Sequence, residues 1–251
     1  MASRRGQMLD GVLLLDKPEG LSSNHALQRA KRTVDARKAG HTGTLDPFAT
    51  GLLICCFGRA TKISAAMLEA DKVYEATVAF GEETDSGDLT GHIVARADAV
   101  PAVTADQLES ALAGFRGEIE QIPPMVSALK RDGKPLYEYA RQGIELERPP
   151  RRITIHALDL LSCDGVSARL RVHCSKGTYV RTLAQDIGRR LGCLGHLSAL
   201  RRTAVGPFTI EHAVGLEALQ AMAAPQSALI PLHALPDGLR PASVSTEEIT
   251  L

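Results

Sequence analysis

One acidic residue of this chain lies in a segment whose residue types restrict its backbone. The segment is Gly40-His41-Thr42-Gly43-Thr44-Leu45-Asp46-Pro47. Its glycines can take backbone angles that are closed to other residues, and Pro47 fixes its own φ and biases Asp46 away from helical conformation. A carboxylate restricted in this way suits a nucleophile or a charge placed against a reacting centre. The alternative is an ordinary turn, because Asp-Pro and glycine-rich segments commonly form turns whose aspartate bonds only nearby backbone.

Composition limits the class of protein. The chain has 251 residues, which is enough for one large domain or two small ones. It contains no apolar run of the roughly 18 residues that a membrane helix needs, and no long apolar segment follows its charged start, so neither a membrane span nor a secretory signal is expected. Five cysteines without paired C-x-x-C spacing are typical of reduced thiols, which predicts a cytoplasmic protein.

The neighbours of the cysteines in the sequence suggest roles for two pairs of residues. Cys55 and Cys56 lie in an apolar run and are interpreted as packing residues. His173 and Cys174 are adjacent, but no second ligand pair is suitably spaced, so no metal site is predicted.

Hydrophobic periodicity predicts alternating elements in irregular order, which favours an α+β fold. Strands are predicted near 11–16, 52–57, 72–80, 153–161, 167–175 and 197–205, and the residues of 72–80 alternate between two faces. A helix with Ser22 or Ser23 as its N-cap is predicted to run to about Ala36. Further helices are predicted near 60–69, 104–114, 179–191 and 216–223, and the one near 104–114 begins with a capping-box pattern at Thr104 and Gln107. Residues 121–151 are rich in Pro, Gly and charge and are interpreted as a mobile insertion that carries a short helix.

Further motifs follow one another along the chain in a fixed order. They are 11–23 (GVLLLDKPEGLSS), 72–76 (KVYEA), 80–88 (FGEETDSGD), 122–130 (IPPMVSALK) and 174–183 (CSKGTYVRTL). With the Asp46 segment, this set resembles the bacterial tRNA pseudouridine synthases of the TruB family, which isomerise a uridine in the T loop of transfer RNA. The resemblance runs from about residue 12 to about residue 230.

The resemblance implies an architecture and a set of partners. It implies a mixed, largely antiparallel sheet with flanking helices and a central catalytic cleft. The catalytic domain would span 1–235, with a thumb-like insertion at about 121–151, and 236–251 would be a linker or the stub of a missing C-terminal PUA domain. We expect a monomer that binds the T arm of tRNA without an obligatory protein partner. The isomerisation is redox-neutral, so no cofactor is expected.

The resemblance also implies roles for three residues. Asp46 would be the catalytic aspartate, and the sequence leaves open whether it attacks C1′, attacks C6 or stabilises charge while a glycal forms. Arg181 would pair with Asp46 and keep it ionised, since an unpaired buried carboxylate tends to protonate; without the family pattern, a surface pairing with Asp186 is favoured. Tyr74 would stack on the extruded uracil, and its alternative role is that of a core strand residue.

Five other residues are expected to bind substrate. His41 would fill the space that the flipped base leaves, and Tyr179 would line the pocket. Lys17 would support the Asp46 loop or meet a phosphate. Lys130 and Arg131, in the thumb-like insertion, would close over the T arm.

Net charge is zero, with 29 basic and 29 acidic residues, whereas an RNA-binding protein is usually basic. Basic residues are nevertheless clustered, and the clusters could converge on one RNA-binding groove or could simply be solvated faces. They are Arg29, Lys31, Arg32, Arg37 and Lys38; Lys130, Arg131 and Lys134; Arg148, Arg151 and Arg152; and Arg189, Arg190, Arg201 and Arg202. Two other functions stay open: a guide-RNA-dependent synthase that needs partner proteins, and an RNA-binding or RNA-folding protein without turnover.

Overall fold

The structure, a computed structural model, describes residues 6–98 and 102–240. The chain separates into two compact units: unit 1 comprises Met1–Lys72 and Arg201–Leu251, and unit 2 comprises Val73–Leu200. Within the described ranges, no helix has the length and apolar character that crossing a membrane requires. Of the predicted C-terminal stub, the part beyond Arg240 lies outside the described residues.

Unit 1 begins with two buried strands. Its first elements are β1 (Gly11–Lys17), α1 (Ser23–Thr33), β2 (Ala39–Thr42), β3 (Thr50–Phe57), a 3-10 helix (Gly58–Ile63) and α2 (Ser64–Glu69). Strands β1 and β3 pair antiparallel along most of their length, and β2 pairs antiparallel with the second half of β3. Both long strands are almost continuously apolar, which is typical of strands that are covered on both faces.

Alternate residues of β1 and β3 contribute to two separate hydrophobic cores. Leu14 and Ile54 pack with α2, whereas Leu13 and Leu53 pack with α1 and a later helix of the same unit. Because side chains of a strand point alternately to opposite faces, the apolar run itself specifies this three-layered arrangement. Strand β3, which follows Asp46, is therefore fixed by packing on both of its faces.

Unit 2 contains most of the long strands. Its elements are β4 (Lys72–Phe80), β5 (Glu82–Thr84), β6 (Ile93–Arg96), α3 (Ala105–Ala113), β7 (Gly117–Gln121), β8 (Lys130–Arg131), β9 (Lys134–Pro135), α4 (Leu136–Ala140), β10 (Arg151–Cys163), β11 (Ser167–Cys174), α5 (Val180–Arg190) and β12 (Gly195–Val205). Five of the strands are neighbours in the order β12, β4, β11, β10, β7, and β10 is antiparallel to both β11 and β7. The predicted capping box of α3 is present, with Thr104 and Gln107 each bonding the other's backbone.

The chain then returns to unit 1. The elements there are β13 (Phe208–Thr209), a 3-10 helix (Ile210–His212), β14 (Val214–Gly215), α6 (Leu216–Ala221) and three further 3-10 turns (Pro225–Ala228, Leu232–Ala234 and Asp237–Leu239). Strand β14 is parallel to β1, and the last part of β12 is parallel to β3, while β13 is antiparallel to β12. The predicted α+β fold with mixed, largely antiparallel strands is confirmed.

Two predicted details of unit 1 are wrong. Helix α1 ends at Thr33 rather than Ala36, because Asp35 has a φ of 53°, a left-handed conformation that an α-helix cannot contain. The special backbone angles expected of both glycines in the Asp46 segment are not used by Gly40, which lies in strand β2, opposite Cys56. By contrast, the packing role of Cys55 and Cys56 is confirmed, since both are buried, and burial raises the pKa of Cys56 to about 11.

Candidate active site

Asp46 lies in a short loop of unit 1 that we call the Asp46 loop, residues 43–49. It joins β2 to β3, which are antiparallel neighbours, so both of its ends are fixed by strand pairing. Gly43 opens the loop with a φ of 71°, which glycine adopts without steric cost. The backbone N–H of Ala49 donates to the Asp46 carbonyl at 3.1 Å and closes a turn. Asp46 itself is half-buried, so the carboxylate is presented by a tightly constrained backbone.

Lys17, at the end of β1, is buried and lies against this loop. Its Nζ donates to the carbonyls of Pro18 (2.8 Å), Leu21 (2.7 Å) and Pro47 (3.3 Å). Burial lowers its pKa to about 8, and the negative charge of Asp46 partly opposes that shift. Of the two roles expected for Lys17, support of the loop is the one that this geometry fits, because the ammonium is enclosed and directed at backbone.

His41 lies on β2, five residues before Asp46, and is half-buried. Burial lowers its pKa below the ordinary value of 6.5, and the nearby charge of Arg202 acts in the same direction. Its Nδ1 is buried and has no hydrogen-bond partner within the described ranges. The lowered pKa favours the neutral ring, which suits stacking against bases better than pairing with phosphate.

Tyr74 lies on β4 in unit 2. Its side chain is half-buried and belongs to the same face of the strand as the buried residues Ala76 and Val78. The predicted alternation of this strand is therefore confirmed. The aromatic side chain shares its strand face with apolar residues, while part of its surface is exposed, as stacking on a base would require.

Tyr179 immediately precedes α5, and its backbone is fixed by a side chain that the sequence interpretation did not select. The amide of Gln121 donates to the Tyr179 carbonyl at 3.1 Å and accepts from the Tyr179 N–H at 2.8 Å. Gln121 is the last residue of β7 and is buried. No local sequence signal points to it, because its partner is 58 residues away.

Arg181, in the first turn of α5, is buried rather than on the helix surface. Its guanidinium donates to the carbonyls of Ser86 (2.8 Å) and Val126 (2.7 Å) and lies 3.8 Å from the Asp88 carboxylate. The alternative of a helix-surface residue is wrong, because Arg181 is only 4% exposed. Asp186, its partner in that alternative, pairs with Arg189. The pairing of Arg181 with Asp46 stays a prediction.

Asp88 is a buried acid to which the sequence interpretation gave no role beyond its place at the end of the 80–88 motif. Its Oδ1 accepts from the Ser86 hydroxyl (2.9 Å), the Thr90 hydroxyl (2.6 Å) and the Thr90 N–H (2.9 Å). These bonds hold a carboxylate beside Arg181. The signal for this turn was present in the sequence, because serine and threonine two residues away from an aspartate commonly bond it in turns.

The thumb-like insertion leaves and rejoins unit 2 at two paired residues, since Gln121 of β7 lies opposite Arg151 of β10. Its predicted short helix is α4, and its β8–β9 hairpin presents Lys130 and Arg131, both exposed. The hairpin tip contains Asp132, with a φ of 52°. Both basic side chains are therefore available for contact with a polyanion.

Not all of the clustered basic residues are available in this way. Arg202 was counted with a cluster that could face RNA, but it is only 1% exposed. It donates to the carbonyls of Leu52 (2.8 Å) and Gly43 (3.0 Å). Its neighbour Arg201 forms a two-bond ion pair with Asp16, at 3.0 and 2.7 Å. The contribution that the sequence interpretation allowed for Arg202 at an RNA surface is wrong.

Comparison with known proteins assigns a family. The family model "TruB family pseudouridylate synthase (N terminal domain)" matches residues 31–180, and "tRNA pseudouridylate synthase B C-terminal domain" matches residues 181–242. The tRNA pseudouridine synthase B of Bordetella avium is 72% identical, over 97% of this chain and all of its own length. That of Aromatoleum aromaticum is 63% identical, over 87% of this chain and 70% of its own length.

Solved structures agree with this assignment. A chain of a Cbf5-Nop10-Gar1 complex is similar with a TM-score of 0.70 and 29% identity over 89% of this chain. A chain of an H/ACA RNP bound to a substrate RNA containing 2′-deoxyuridine has a TM-score of 0.66 and 25% identity over 92% of this chain. This chain spans 60% and 65% of the lengths of those two. The two matched models cover the chain from residue 31 to residue 242, and it belongs to the TruB family of pseudouridylate synthases.

Proposed function

We propose that this protein converts a uridine in the T loop of tRNA into pseudouridine, with Asp46 as the reacting carboxylate. The observation that carries the proposal is the Asp46 loop, in which a half-buried aspartate is fixed between paired strands beside the buried cation Lys17. It is supported by relatives named tRNA pseudouridine synthase B that align over their whole length.

The reaction breaks the bond from C1′ to N1 of uridine and forms one from C1′ to C5. The hydrogen on C5 is released to solvent as a proton, and one returns to N1, so atoms and electrons balance without a redox partner. Cleavage of the glycosidic bond develops positive charge at the sugar. An ionised Asp46 is suited to this step either as a nucleophile or as a stabilising charge. The positive charge of Lys17 favours that ionised form.

Other residues would prepare the substrate for Asp46. Tyr74 would stack on the flipped uracil, a contact worth roughly 1–3 kcal/mol per base. Tyr179 would line the pocket, and its backbone is already fixed by Gln121. Arg181 would supply the positive charge that keeps the reacting carboxylate ionised; its guanidinium is already oriented by two backbone carbonyls.

RNA binding would combine base flipping with phosphate contacts. The neutral ring of His41 would occupy the space vacated by the flipped base, which offsets part of the few kcal/mol that unstacking costs. Lys130 and Arg131 would contact phosphates of the T arm from the exposed hairpin of the insertion. We further propose that the protein acts as a monomer, without an obligatory protein partner.

The proposal is tested by tritium release from a tRNA transcript labelled at C5 of uridine. The purified protein alone should release tritium to water, whereas a transcript with cytidine at the target position should give none from that site. Asp46→Asn is the matched variant, because it keeps the size of the side chain and removes its charge. It should lower the single-turnover rate by at least about 1,000-fold while the dissociation constant for the transcript changes little.

Three outcomes would contradict parts of the proposal. Normal turnover by Asp46→Asn would remove Asp46 from the reaction. Turnover that requires added guide RNA or partner proteins would favour the guide-dependent class. Tight tRNA binding by the wild type without tritium release would favour an RNA-binding or RNA-folding protein.

A further inference from the structure

Three buried side chains from three different elements bond the backbone around Asp46. Lys17 of β1 bonds the carbonyl of Pro47, Ser23 of α1 bonds Leu45, and Arg202 of β12 bonds Gly43. We infer that Ser23 and Arg202 are positioning residues for Asp46, which set the orientation of its carboxylate without contacting substrate. The inference rests on the proposed role of Asp46.

Ser23 bonds both polar backbone groups of one residue. Its hydroxyl accepts from the Leu45 N–H at 2.8 Å and donates to the Leu45 carbonyl at 3.0 Å. That carbonyl belongs to the peptide group that also contains the Asp46 nitrogen, and a peptide group is planar. The hydroxyl therefore fixes the plane from which the Asp46 side chain projects.

The hydroxyl of Ser23 does not cap helix α1. The N-cap of this helix is Ser22, whose hydroxyl accepts from the His25 N–H at 3.2 Å. Ser23 is the first helical residue and is 1% exposed. Since the cap is provided by its neighbour, the Ser23 hydroxyl is available to the Asp46 loop, and both of its hydrogen bonds to the described part of the chain go there.

Arg202 bonds two points that flank the same loop. Its Nη2 donates to the carbonyl of Gly43, the first loop residue, and its Nε donates to the carbonyl of Leu52, on β3 just after the loop. One rigid guanidinium therefore sets the distance between the two ends of the loop. The backbones of Gly51 and Arg202 lie close together, which brings the guanidinium to the loop. A Cβ on Gly51, whose φ is 101°, would lie 2.3 Å from the Arg202 carbonyl oxygen.

The charge of Arg202 acts on the same neighbourhood. It contributes to the lowered pKa values of Lys17 and His41, two titratable groups beside the loop. Two buried cations, Lys17 and Arg202, thus donate to carbonyls on either side of an acidic residue. Buried charges are costly unless they are hydrogen-bonded. One of the bonds of Lys17 and the bonds of Arg202 to Gly43 and Leu52 go to the loop and to the strand that follows it. This placement suits a loop that must present an ionised carboxylate reproducibly.

The decisive comparison is Ser23→Ala against Ser22→Ala, two adjacent serines of one helix start. Both variants lose hydrogen bonds and should lower the melting temperature. Only Ser23→Ala frees the Leu45 peptide, so it should lower the single-turnover rate of tritium release by about 10- to 100-fold, the loss expected when a reacting group moves by about 1 Å. The dissociation constant for the tRNA transcript should stay within about twofold for both variants, and the rate of Ser22→Ala per folded molecule should match the wild type.

Arg202→Lys provides an independent variant in case Ser23→Ala does not fold. Lysine keeps the buried charge but lacks the two-armed fork, so the single-turnover rate should fall by a similar factor with unchanged transcript affinity. The inference is overturned if the folded Ser23→Ala and Arg202→Lys proteins turn over at the wild-type rate, or if Ser22→Ala is slowed as much as Ser23→Ala. It is also overturned if the loss appears in affinity rather than in rate. Asp46→Asn separates the two proposals, because its full activity would contradict the role of Asp46 itself.

Discussion

At the scale of single residues, the Asp46 loop is bonded by cations that are enclosed by backbone. Lys17 and Arg202 are both buried, and both donate to carbonyls around Asp46. Arginine stays protonated at every accessible pH, whereas a buried lysine can lose its proton. Lys17 therefore makes the loop sensitive to pH in a way that Arg202 does not.

Lys17 predicts an alkaline limit to activity. Its pKa is lowered from 10.5 to about 8, so the ammonium is present below pH 8 and is lost as the pH rises through that value. The neutral amine has fewer N–H donors than the three carbonyls it serves, and its attraction for Asp46 is gone. We therefore expect the single-turnover rate to fall above about pH 8. In Lys17→Arg this alkaline fall in rate should be absent, because the guanidinium keeps its charge.

The pH dependence of stability should differ from that of the single-turnover rate. In the unfolded chain Lys17 keeps its proton up to about pH 10.5, so between pH 8 and 10.5 the unfolded state binds more protons than the folded state. The contribution of this group to the free energy of unfolding therefore rises with pH. Thermal melts recorded at the same pH values separate a loss of rate caused by Lys17 deprotonation from one caused by unfolding. A fall in rate that coincides with unfolding would contradict the role of Lys17. Identical pH profiles of the rate for the wild type and Lys17→Arg would contradict it as well.

At the scale of elements, helix α5 carries Arg181 and is fixed by a close contact with the chain that follows it. Gly188 lies on its buried face, and a Cβ there would be 2.3 Å from the Leu194 carbonyl carbon and 2.4 Å from the Gly195 nitrogen. Both are backbone atoms, which cannot move aside as a side chain can. The absence of a side chain at this position allows the helix to approach the start of β12.

Gly188→Ala should therefore destabilise unit 2. Overpacking of this kind typically costs about 1–3 kcal/mol, which outweighs the gain in helix propensity from replacing glycine. Chemical denaturation measures the change in the free energy of unfolding. Gly114→Ala, at the end of α3, is the matched control, because its Cβ would meet its nearest neighbour at an ordinary 3.6 Å and should shift stability by less than about 1 kcal/mol. Equal effects of the two substitutions would contradict this reading of α5.

Elements were largely predictable from the sequence because their signals are local. The alternation of β4 and the capping box at Thr104 each lie within a few residues and were confirmed. The site residues that were missed act across the chain: Arg202 bonds Gly43 over 159 positions, and Gln121 bonds Tyr179 over 58. Composition even pointed the wrong way for Arg202, since an arginine beside another arginine is typical of an exposed basic cluster.

At the scale of the whole molecule, a net charge of zero has to be reconciled with a polyanionic substrate. Some basic side chains are buried in the protein, such as Arg202. Others are paired with acidic side chains, as Arg189 is with Glu83. Others are exposed, including Lys130 and Arg131 on the insertion hairpin. Attraction for RNA should therefore come from a few local groups rather than from the overall charge.

The salt dependence of tRNA binding tests this distribution. Each phosphate contact releases about one counterion, so the double variant Lys130→Ala with Arg131→Ala should reduce the slope of log K against log salt concentration by about 1 to 2. Because these side chains are proposed to bind phosphate rather than the reacting base, the single-turnover rate at saturating protein should change little. Arg59→Ala is the control, since that exposed arginine is already paired with Asp10 at 2.6 Å and should leave the slope unchanged. An unaltered slope in the double variant, or an equal change in the control, would mean that the hairpin does not contact the RNA backbone.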